Sequence, residues 1–264
     1  MPRAPKLTPV AASELAPSPH NLYAGTSGWA YPTWKPGFYP DDVPSRAFLH
    51  NYASRLTSVE VNYTFRTLPT EPQLQGWLDA TPPGFRFSFK APQQITHFQR
   101  LRGSKAATAE FIAAIEPART ANKLGPLLFQ LPPNFAADTK RLAAFLAMPA
   151  LRDPALQLAF EFRHASWFAE PIYEILRRHN AALCVAESDD LATPEVHTAS
   201  THTCFRLRRN GGYSPTEIAA FAQRFTLLAK DRDVYIYFKH EDDPTGALNA
   251  SSFLAQASTV AGKQ

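Results

Sequence analysis

Short apolar segments recur along the chain, and in most of them polar or charged residues alternate with large hydrophobic residues. Successive side chains of a β-strand point to opposite faces, so Val59 and Val61 would lie on one face while Glu60 and Asn62 lie on the other. The apolar positions of the later segments are Phe87 and Phe89, Phe129 and Leu131, Phe160 and Phe162, Phe205 and Leu207, and Ile236 and Phe238. This alternation predicts strands that have one apolar face and one face that becomes polar.

Eight predicted strands alternate with segments of helical periodicity. The strands are predicted at 22–25, 58–61, 86–90, 127–131, 157–162, 183–186, 203–207 and 234–238. The helices are predicted at 45–56, 70–77, 105–121, 139–148, 170–179, 215–229 and 249–260, with Ser45 and Ser214 as N-caps. This order predicts parallel pairing with right-handed crossovers, and eight units favour an α/β fold that closes into a TIM-like (β/α)8 barrel. Residues 187–202 have no helical period, so we expect an irregular sixth crossover.

The chain length of 264 residues fits one barrel, since single barrels run to about 250 residues. Residues 1–20 are rich in proline and alanine and are predicted to form a flexible tail, which leaves 21–264 as one barrel domain. The tail lacks the apolar run of a signal peptide or a membrane span. We therefore expect a cytoplasmic protein with no membrane partner.

Composition narrows the class of protein further. Hydrophobic residues make up 45% of the chain and aromatic residues 12%, which excludes disorder over most of its length. Cys184 and Cys204 are too few for a disulfide framework and lack metal-ligand spacing, so buried free thiols are expected. The net charge of +4 permits an anionic partner without requiring one. Nothing in the composition indicates an oligomeric state.

The polar positions of the strands should gather at one end of the barrel. The outward face of each strand packs on helices, whereas the inward face can become polar toward the C-terminal mouth. Buried charges must pair with each other or with a ligand, and the cations outnumber the carboxylates, so the mouth suits a phosphate or a carboxylate. A structural network of ion pairs is the alternative. The positions expected to converge are Glu60, Asn62, Ser88, Lys90, Gln130, Glu161, Arg163, Arg206, Arg208 and Lys239.

Several of these residues have a chemical role to offer. Glu60 and Glu161 could act as general base and acid if their pKa values differ, and facing carboxylates are also typical of glycosidases. Lys90 could form a Schiff base or, with Glu60 nearby, a salt bridge. Arg163 and Arg206 would hold an anion, with Lys90 beside them. These residues are candidates for both catalysis and substrate binding.

Histidines and tryptophans follow several strands on the side of the mouth. His97 and His164 could join the carboxylates around a metal, but no HxH or HExxH spacing supports a metal site, so hydrogen-bonding roles are expected. Trp29, Trp34 and Trp167 could stack on bases or sugar rings, or anchor the loops by packing. The glycines near the first strand do not form a GxGxxG fingerprint and no P-loop is present, so no nucleotide cofactor is indicated.

Taken in order, several stretches resemble the YecE-like family, a domain of unknown function. The similarity covers the chain from about Leu22 onward. It is carried by GTSGWAYPTWKPGFYP at 25–40, VEVNYTF at 59–65, FRFSFKAPQQITH at 85–97, LFQLPPNF at 128–135 and AFEFRHASW at 159–167. The resemblance implies a TIM-like barrel and no settled activity. It also implies that the family's polar positions correspond to Glu60, Asn62, Lys90, His97, Gln130, Glu161, Arg163 and Trp167.

The chain departs from the pattern of this family in three places. Arg66 stands where the family usually has tyrosine, and Arg208 and Arg209 replace a His-Gly pair after the seventh strand. Lys239 and His240 replace paired asparagines after the eighth strand. These changes make the mouth more basic than in a typical member, and they leave open whether a family activity survives.

Three functions are compatible with these features. The leading hypothesis is a hydrolase-type enzyme that acts on an anionic substrate, such as a phosphorylated sugar or a nucleic-acid backbone. The second is a nucleic-acid-binding module without catalytic activity, which would use the basic mouth and the tryptophans and would bind less tightly as salt rises. The third is a glycosidase with Glu60 and Glu161 as its paired carboxylates. The substrate-binding residues predicted are Trp29, Asn62, His97, Gln130, Arg163, Trp167, Arg206 and Lys239, with Glu60, Glu161 and Lys90 as the catalytic candidates.

Overall fold

Strands and helices alternate along the part of the chain that the structure, a computed structural model, describes: residues 21–187, 191–239 and 242–262. The strands are β1 (Leu22–Thr26), β2 (Ser58–Val61), β3 (Arg86–Lys90), β4 (Leu124–Gln130), β5 (Leu158–Glu161), β6 (Ala182–Leu183), β7 (Val185–Glu187), β8 (His202–Leu207) and β9 (Asp233–Phe238). The helices are α1 (Phe48–Ala53), α2 (Glu71–Asp79), α3 (Lys105–Thr120), α4 (Thr139–Leu146), α5 (Glu170–Arg178), α6 (Pro215–Leu228) and α7 (Thr245–Ala261). The predicted tail at 1–20 and His240 lie outside the described residues.

All the strand pairs are parallel and form two runs that together make the barrel. One run has the order β2-β3-β4-β5-β6 and the other the order β1-β9-β8-β7. A parallel bridge between Ser27 and Glu60 joins β1 to β2, and the backbone N–H of Thr57 donates to Ala24 O at 3.2 Å. Strands β6 and β7 are separated only by Cys184, so they act as one sixth strand. The α/β barrel predicted from the sequence is therefore confirmed.

The inner and outer faces of the strands separate as the alternation predicts. The outward phenylalanines Phe87, Phe129 and Phe160 are fully buried against the helices and belong to the main hydrophobic core. A second buried cluster fills the barrel interior with Leu128, Ala159, Ala182, Cys184, Cys204, Ala199, Tyr235 and Tyr237. The small side chains of Ala159 on β5, Ala182 on β6 and Cys204 on β8 leave space for the two tyrosines.

The ends of the elements differ from the prediction where local chemistry is unusual. Strand β4 begins at Leu124, three residues before the predicted start, although Gly125 and Pro126 normally interrupt strands. The pairing of β3 with β4 shifts register between Phe87 and Phe89, so the missing N–H of Pro126 falls at an irregular part of the ladder. Helix α7 begins at Thr245, four residues before the predicted start.

Of the two predicted N-caps, Ser214 is confirmed and Ser45 is wrong. Ser214 caps α6 in a capping box in which Glu217 binds back to the Ser214 N–H. Ser45 does not cap α1, because the chain enters this helix through a 3-10 turn at Ser45–Ala47 without a side-chain cap. The described part of the sixth crossover, 191–201, has no helix, which agrees with the expected irregularity. No helix within the described ranges is long and apolar enough to cross a membrane.

Candidate functional site at the barrel mouth

The guanidinium of Arg206 lies in the barrel interior between two carboxylates from different strands. Its Nε donates to Glu60 Oε2 at 2.9 Å, its Nη2 to Glu60 Oε1 at 2.7 Å, and its Nη1 to Glu161 Oε2 at 2.5 Å. The side chain of Arg206 is 2% exposed and those of both glutamates are 0% exposed. Residues from β2, β5 and β8 therefore form one buried Glu60–Arg206–Glu161 triad, as their shared inward parity predicts.

Neighbouring side chains complete the hydrogen bonding of the two carboxylates. Ser27 Oγ donates to Glu60 Oε1 at 2.8 Å. Glu161 Oε1 accepts from Gln130 Nε2 at 2.9 Å and from Arg163 Nε at 2.6 Å. The register of β4 and β5 places Gln130 directly opposite Glu161. Glu161 thus has three partners, whereas Glu60 depends mainly on Arg206.

Both carboxylates of the triad are held in the ionised form. Burial works to raise the pKa of Glu161, but the charges of Arg206 and Arg163 outweigh it and lower that pKa to about 2. Burial also opposes ionisation of Glu60, and the charge and hydrogen bonds of Arg206 still lower its pKa below the ordinary value. Neither carboxyl has a raised pKa, so the geometry does not support the predicted role of one of them as a general acid. The geometry gives these glutamates the task of holding Arg206.

The same contacts correct the expectation for Arg206. Its donors are directed at Glu60, Glu161 and, at 3.5 Å, at Ser27 Oγ, so the guanidinium faces internal partners. An anion entering from solvent would have to displace a carboxylate that is fully buried. Arg206 is therefore part of the floor of the site and does not present a free anion-binding surface.

Two other cations at the mouth have no carboxylate bound to them. Lys90 Nζ lies 4.3 Å from the ring centroid of Phe65, and neither Lys90 nor Arg208 makes a side-chain hydrogen bond or ion pair with any described residue. Burial, followed by the charge of Arg206, lowers the pKa of Lys90 to about 8 and also lowers the pKa of Arg208. Together with Arg163 and Arg206, these two residues make four cations around two carboxylates. The mouth therefore has an excess of two positive charges.

His97 lies close to Lys90, and Asn62 directly follows β2. His97 ends up beside Lys90 because residues 94–98 form a π-helical turn after β3, and its ring meets Phe65 edge to face at 5.0 Å. Burial, followed by the charge of Lys90, lowers the pKa of His97 and so favours its neutral imidazole. Asn62 Oδ1 is buried and accepts no hydrogen bond in the described part of the chain.

The remaining predicted site residues are dispersed. Trp29 is partly buried and lines a cleft beside the mouth, while Lys239 Nζ donates to Asn210 Oδ1 in the loop after β8. Trp167 is wrongly placed by the sequence prediction, because it is 0% exposed and its ring stacks on Phe162 at 4.6 Å. Its indole N–H donates to Phe135 O at 2.6 Å, so neither its face nor its donor is open to a ligand. Trp34 is likewise fully buried.

The sequence prediction missed residues that the loops bring to the site. Ser27 follows β1 immediately, and its position at the C-terminal end of a barrel strand is the signal that could have found it. A cleft of about 490 Å³ beside the mouth is lined by Trp29, Tyr31, Asn62, Tyr63 and Trp77, of which Tyr31, Tyr63 and Trp77 were not predicted. Within the described ranges, no three His, Cys, Asp or Glu side chains come together in a way that could hold a metal ion.

Comparison with known proteins finds curated relatives that are named UPF0759 proteins. UPF0759 protein YunF of Bacillus subtilis is 31% identical over 157 residues, which are 58% of this chain and 54% of that protein. UPF0759 protein YecE of Escherichia coli K12 is 30% identical over 152 residues, 56% of this chain and 51% of that protein. The chain thus spans about half the length of these curated relatives.

A solved structure extends the similarity to nearly the whole fold. A DUF72 family protein from Thermotoga maritima superposes with a TM-score of 0.74 at 28% sequence identity, and the match covers 88% of this chain and 97% of that one. The family model described as "Protein of unknown function DUF72" matches residues 23–263. The resemblance seen in the strand-end motifs is confirmed, and the chain belongs to the DUF72 family.

Proposed function

We propose that the barrel mouth is the active site of a hydrolase-type enzyme whose substrate carries a phosphate group. The observation that carries this proposal is the pair of cations, Lys90 and Arg208, that have no bound carboxylate among the described residues. Burial and mutual repulsion with Arg206 disfavour the charged forms of both. A bound anion would relieve this repulsion, because cations in a low-dielectric site interact strongly with phosphate.

The chemistry follows from which groups can move a proton. Water would attack phosphorus as the bond from phosphorus to the leaving oxygen breaks. Lys90, with a pKa of about 8, would give a proton to the leaving oxygen and regain one from the attacking water. Arg208 and Arg163 would hold the phosphoryl oxygens, since guanidinium groups match their geometry. In this proposal Lys90 carries out the proton transfer. Glu60 and Glu161 do not, because both are ionised and bound to Arg206.

A binding experiment tests the anion site directly. Inorganic phosphate would be titrated calorimetrically into the wild-type protein, Arg208→Gln and Arg209→Gln. Losing one charge-assisted hydrogen bond should weaken binding by roughly tenfold or more in Arg208→Gln. Arg209 is the matched control, because its guanidinium is already bound to Glu187 and Glu217. Equal affinities in all three proteins would refute the assignment of the mouth as the anion site.

The pH dependence of anion binding gives an independent test. Lys90 is charged below its pKa of about 8 and neutral above it, so affinity should fall as pH rises through 8. Sulfate is the suitable probe, because its own charge does not change in this range. In Lys90→Met the affinity should be lower and this decline should disappear. A wild-type affinity that stays constant from pH 7 to pH 9 would contradict the role of Lys90.

Turnover distinguishes the enzyme from its alternatives. Nitrophenyl phosphate mono- and diesters should be hydrolysed by the wild-type protein, with activity reduced in Arg208→Gln and kept in Arg209→Gln. Neutral nitrophenyl glycosides should be inert, because a glycosidase needs one carboxyl with a raised pKa and both Glu60 and Glu161 have lowered ones. Turnover of the glycosides alone would favour the glycosidase.

A nucleic-acid-binding module is the second candidate, and one feature favours it. Phe98 is 68% exposed at the end of the π-helical turn beside the mouth, and Arg102 is exposed close to it in the chain. An exposed aromatic ring near cations can stack on an unpaired base. Titration of single-stranded and duplex DNA at two salt concentrations tests this, since phosphate contacts predict a steep loss of affinity at high salt. Affinity that grows with DNA length and falls in Phe98→Ala would support this candidate.

A further inference from the structure

The cleft beside the mouth has the size and lining of a small-molecule site. Its volume of about 490 Å³ lies within the range of about 300–1,000 Å³ that ligand pockets occupy. Residues from three places in the chain line it: the loop after β1, the end of β2 with the turn that follows, and helix α2. The aromatic side chains among them are Trp29, Tyr31, Tyr63 and Trp77.

Three of these rings are arranged so that their flat faces do not cover one another. Trp29 meets Trp77 at 5.4 Å with an interplanar angle of 83°, and Tyr63 meets Trp77 at 6.0 Å with an angle of 88°. None of these three rings is stacked on another, and Tyr63 is 45% exposed. Ring faces therefore remain for a flat ligand, which aromatic side chains bind by stacking.

The cleft also contains an acceptor that lacks a donor. Asn62 Oδ1 is buried and receives no hydrogen bond from the described residues. Such an atom costs the fold about 1–3 kcal/mol, and turning the amide so that Oδ1 faces the cleft would let a ligand N–H group recover this cost. The lining residues include no carboxylate, and their other polar groups belong to Ser45, Arg46, Gln73 and the two tyrosine hydroxyls. A flat ring with an amino group would match two features of the cleft, the aromatic side chains and the acceptor of Asn62.

The cleft opens next to the charged floor of the mouth. Gly28 follows Ser27 directly, and Asn62 lies two residues beyond Glu60. Two residues that line the cleft are therefore close in the chain to residues of the charged floor. Tyr31 Oη donates to Ser27 O at 3.0 Å. Burial, assisted by the charge of Glu60, raises the pKa of Tyr31 to about 12, which reflects how near the cleft wall is to the triad.

We propose that this cleft binds an amino-bearing aromatic heterocycle of the nucleobase type, as the second part of the ligand whose phosphate is held at the mouth. The phosphate half rests on the proposed function. The ring half rests only on the cleft, so a nucleoside without phosphate can test it alone. The ring would stack on Tyr63 or a tryptophan, and its amino group would donate to Asn62 Oδ1.

Adenosine and purine riboside form the test pair, because they differ only in the amino group. Binding would be followed by the fluorescence of the wild-type protein, in which Trp29 and Trp77 line the cleft while Trp34 and Trp167 are buried in the core. Wild-type protein should bind adenosine about tenfold more tightly than purine riboside, as expected for one buried hydrogen bond. Asn62→Leu should abolish this difference, whereas Tyr63→Ala should weaken both ligands by roughly tenfold.

A matched control is available on helix α1. Asn51 Oδ1 is another buried acceptor without a partner in the described residues, but Asn51 is not part of the cleft lining. Asn51→Leu should therefore leave both affinities unchanged. Absence of adenosine binding, or an equal effect of Asn62→Leu on both nucleosides, would overturn the proposal. Tighter binding of a neutral disaccharide than of adenosine would also overturn it.

Adenosine monophosphate separates this proposal from the proposed function. The monophosphate should bind more tightly than adenosine in the wild-type protein, and Arg208→Gln should remove that advantage without changing adenosine itself. If adenosine binds through Asn62 but the phosphate adds nothing, the cleft assignment stands and the anion site fails. If inorganic phosphate binds through Arg208 but neither nucleoside binds, the anion site stands and the cleft assignment fails.

Discussion

Replacing Arg206 by methionine tests whether the buried triad is the electrostatic centre of the barrel. The substitution removes three hydrogen bonds to carboxylates at 2.5–2.9 Å and leaves two glutamates that are 0% exposed. The remaining hydrogen-bond donors are unequal within the described residues, because Glu161 keeps Arg163 and Gln130 whereas Glu60 keeps Ser27. We therefore expect Glu60 to become the unstable charge in the variant.

The magnitude can be worked from the proton that Glu60 can bind. A carboxyl of ordinary pKa 4.5 costs about 3.4 kcal/mol to protonate at pH 7 and about 0.7 kcal/mol at pH 5, at about 1.36 kcal/mol per pH unit. Removing one partner of a buried ion pair costs about 3–5 kcal/mol, which is of the same order. Arg206→Met should thus lower the free energy of unfolding by about 3–4 kcal/mol at pH 7.

The loss should shrink as the pH falls. In the variant the folded-state pKa of Glu60 is raised, so the folded protein binds more protons than the unfolded chain between pH 4.5 and that pKa. Stability of the variant then increases on going from pH 7 to pH 5. In the wild-type protein the pKa values of Glu60 and Glu161 are lowered, so these two groups release no stability until the pH falls below 4.5. The difference between the two proteins should narrow by about 2–3 kcal/mol over this interval.

Urea unfolding followed by circular dichroism at pH 7 and pH 5 measures both quantities. Arg209→Met is the control, because Arg209 has two carboxylate partners of its own but its side chain is 41% exposed, and it should cost less than about 1 kcal/mol. Adding Glu60→Gln to Arg206→Met should remove the pH dependence. A loss below about 1 kcal/mol at pH 7, or an equal loss at both pH values, would refute the reasoning.

Two further predictions concern the fold around the site. A Cβ at Gly25 would lie 1.8 Å from the backbone oxygen of Ser58, so Gly25→Ala should cost more than about 3 kcal/mol or prevent folding. A Cβ at Gly76 on helix α2 would meet no atom within 4 Å, so Gly76→Ala should add about 1 kcal/mol of stability. Thermal denaturation checks both, and similar melting temperatures for the two variants would contradict this. Ser214→Ala removes the capping box shared with Glu217 and should cost about 1 kcal/mol in the free energy of urea unfolding, and an unchanged unfolding midpoint would contradict it.

The sequence was sufficient for the barrel and for the residues of its floor because strand geometry has a fixed period. Once 58–61 and 203–207 are recognised as strands, the inward direction of Glu60 and Arg206 follows from alternation with their apolar neighbours. Parallel pairing then brings the carboxyl ends of all strands to one mouth. The convergence of the triad needed no information beyond these two rules.

The state of each side chain could not be predicted, because it depends on distances across the barrel. Parity places Arg206, Arg208 and Lys90 on the same inner face, but only the coordinates distinguish the arginine that is bound by two carboxylates from the cations that are not. Loop residues were harder still. The 3-10 turn at Ala165–Trp167 folds Trp167 back onto the core, whereas the loop after β1 leaves Trp29 in the cleft.

The triad and the cations Lys90 and Arg208 together set the positive charge of the mouth. Burying an ion pair seldom adds net stability over a neutral substitute, so Glu60, Arg206 and Glu161 are a costly way to fill a barrel. Their effect is to hold the Arg206 guanidinium near Lys90 and Arg208, with its charge partly offset by the two carboxylates. The charge of Arg206 lowers the pKa of Lys90 and of Arg208. Neutral replacement of the whole triad should therefore preserve the fold, and it removes both the cation that lowers the pKa of Lys90 and the two carboxylates that raise it. Comparison of this variant with the wild-type protein would show whether the pH at which anion affinity falls moves while the barrel is kept, which separates the part of the triad that shapes the structure from the part that sets the charge of the site.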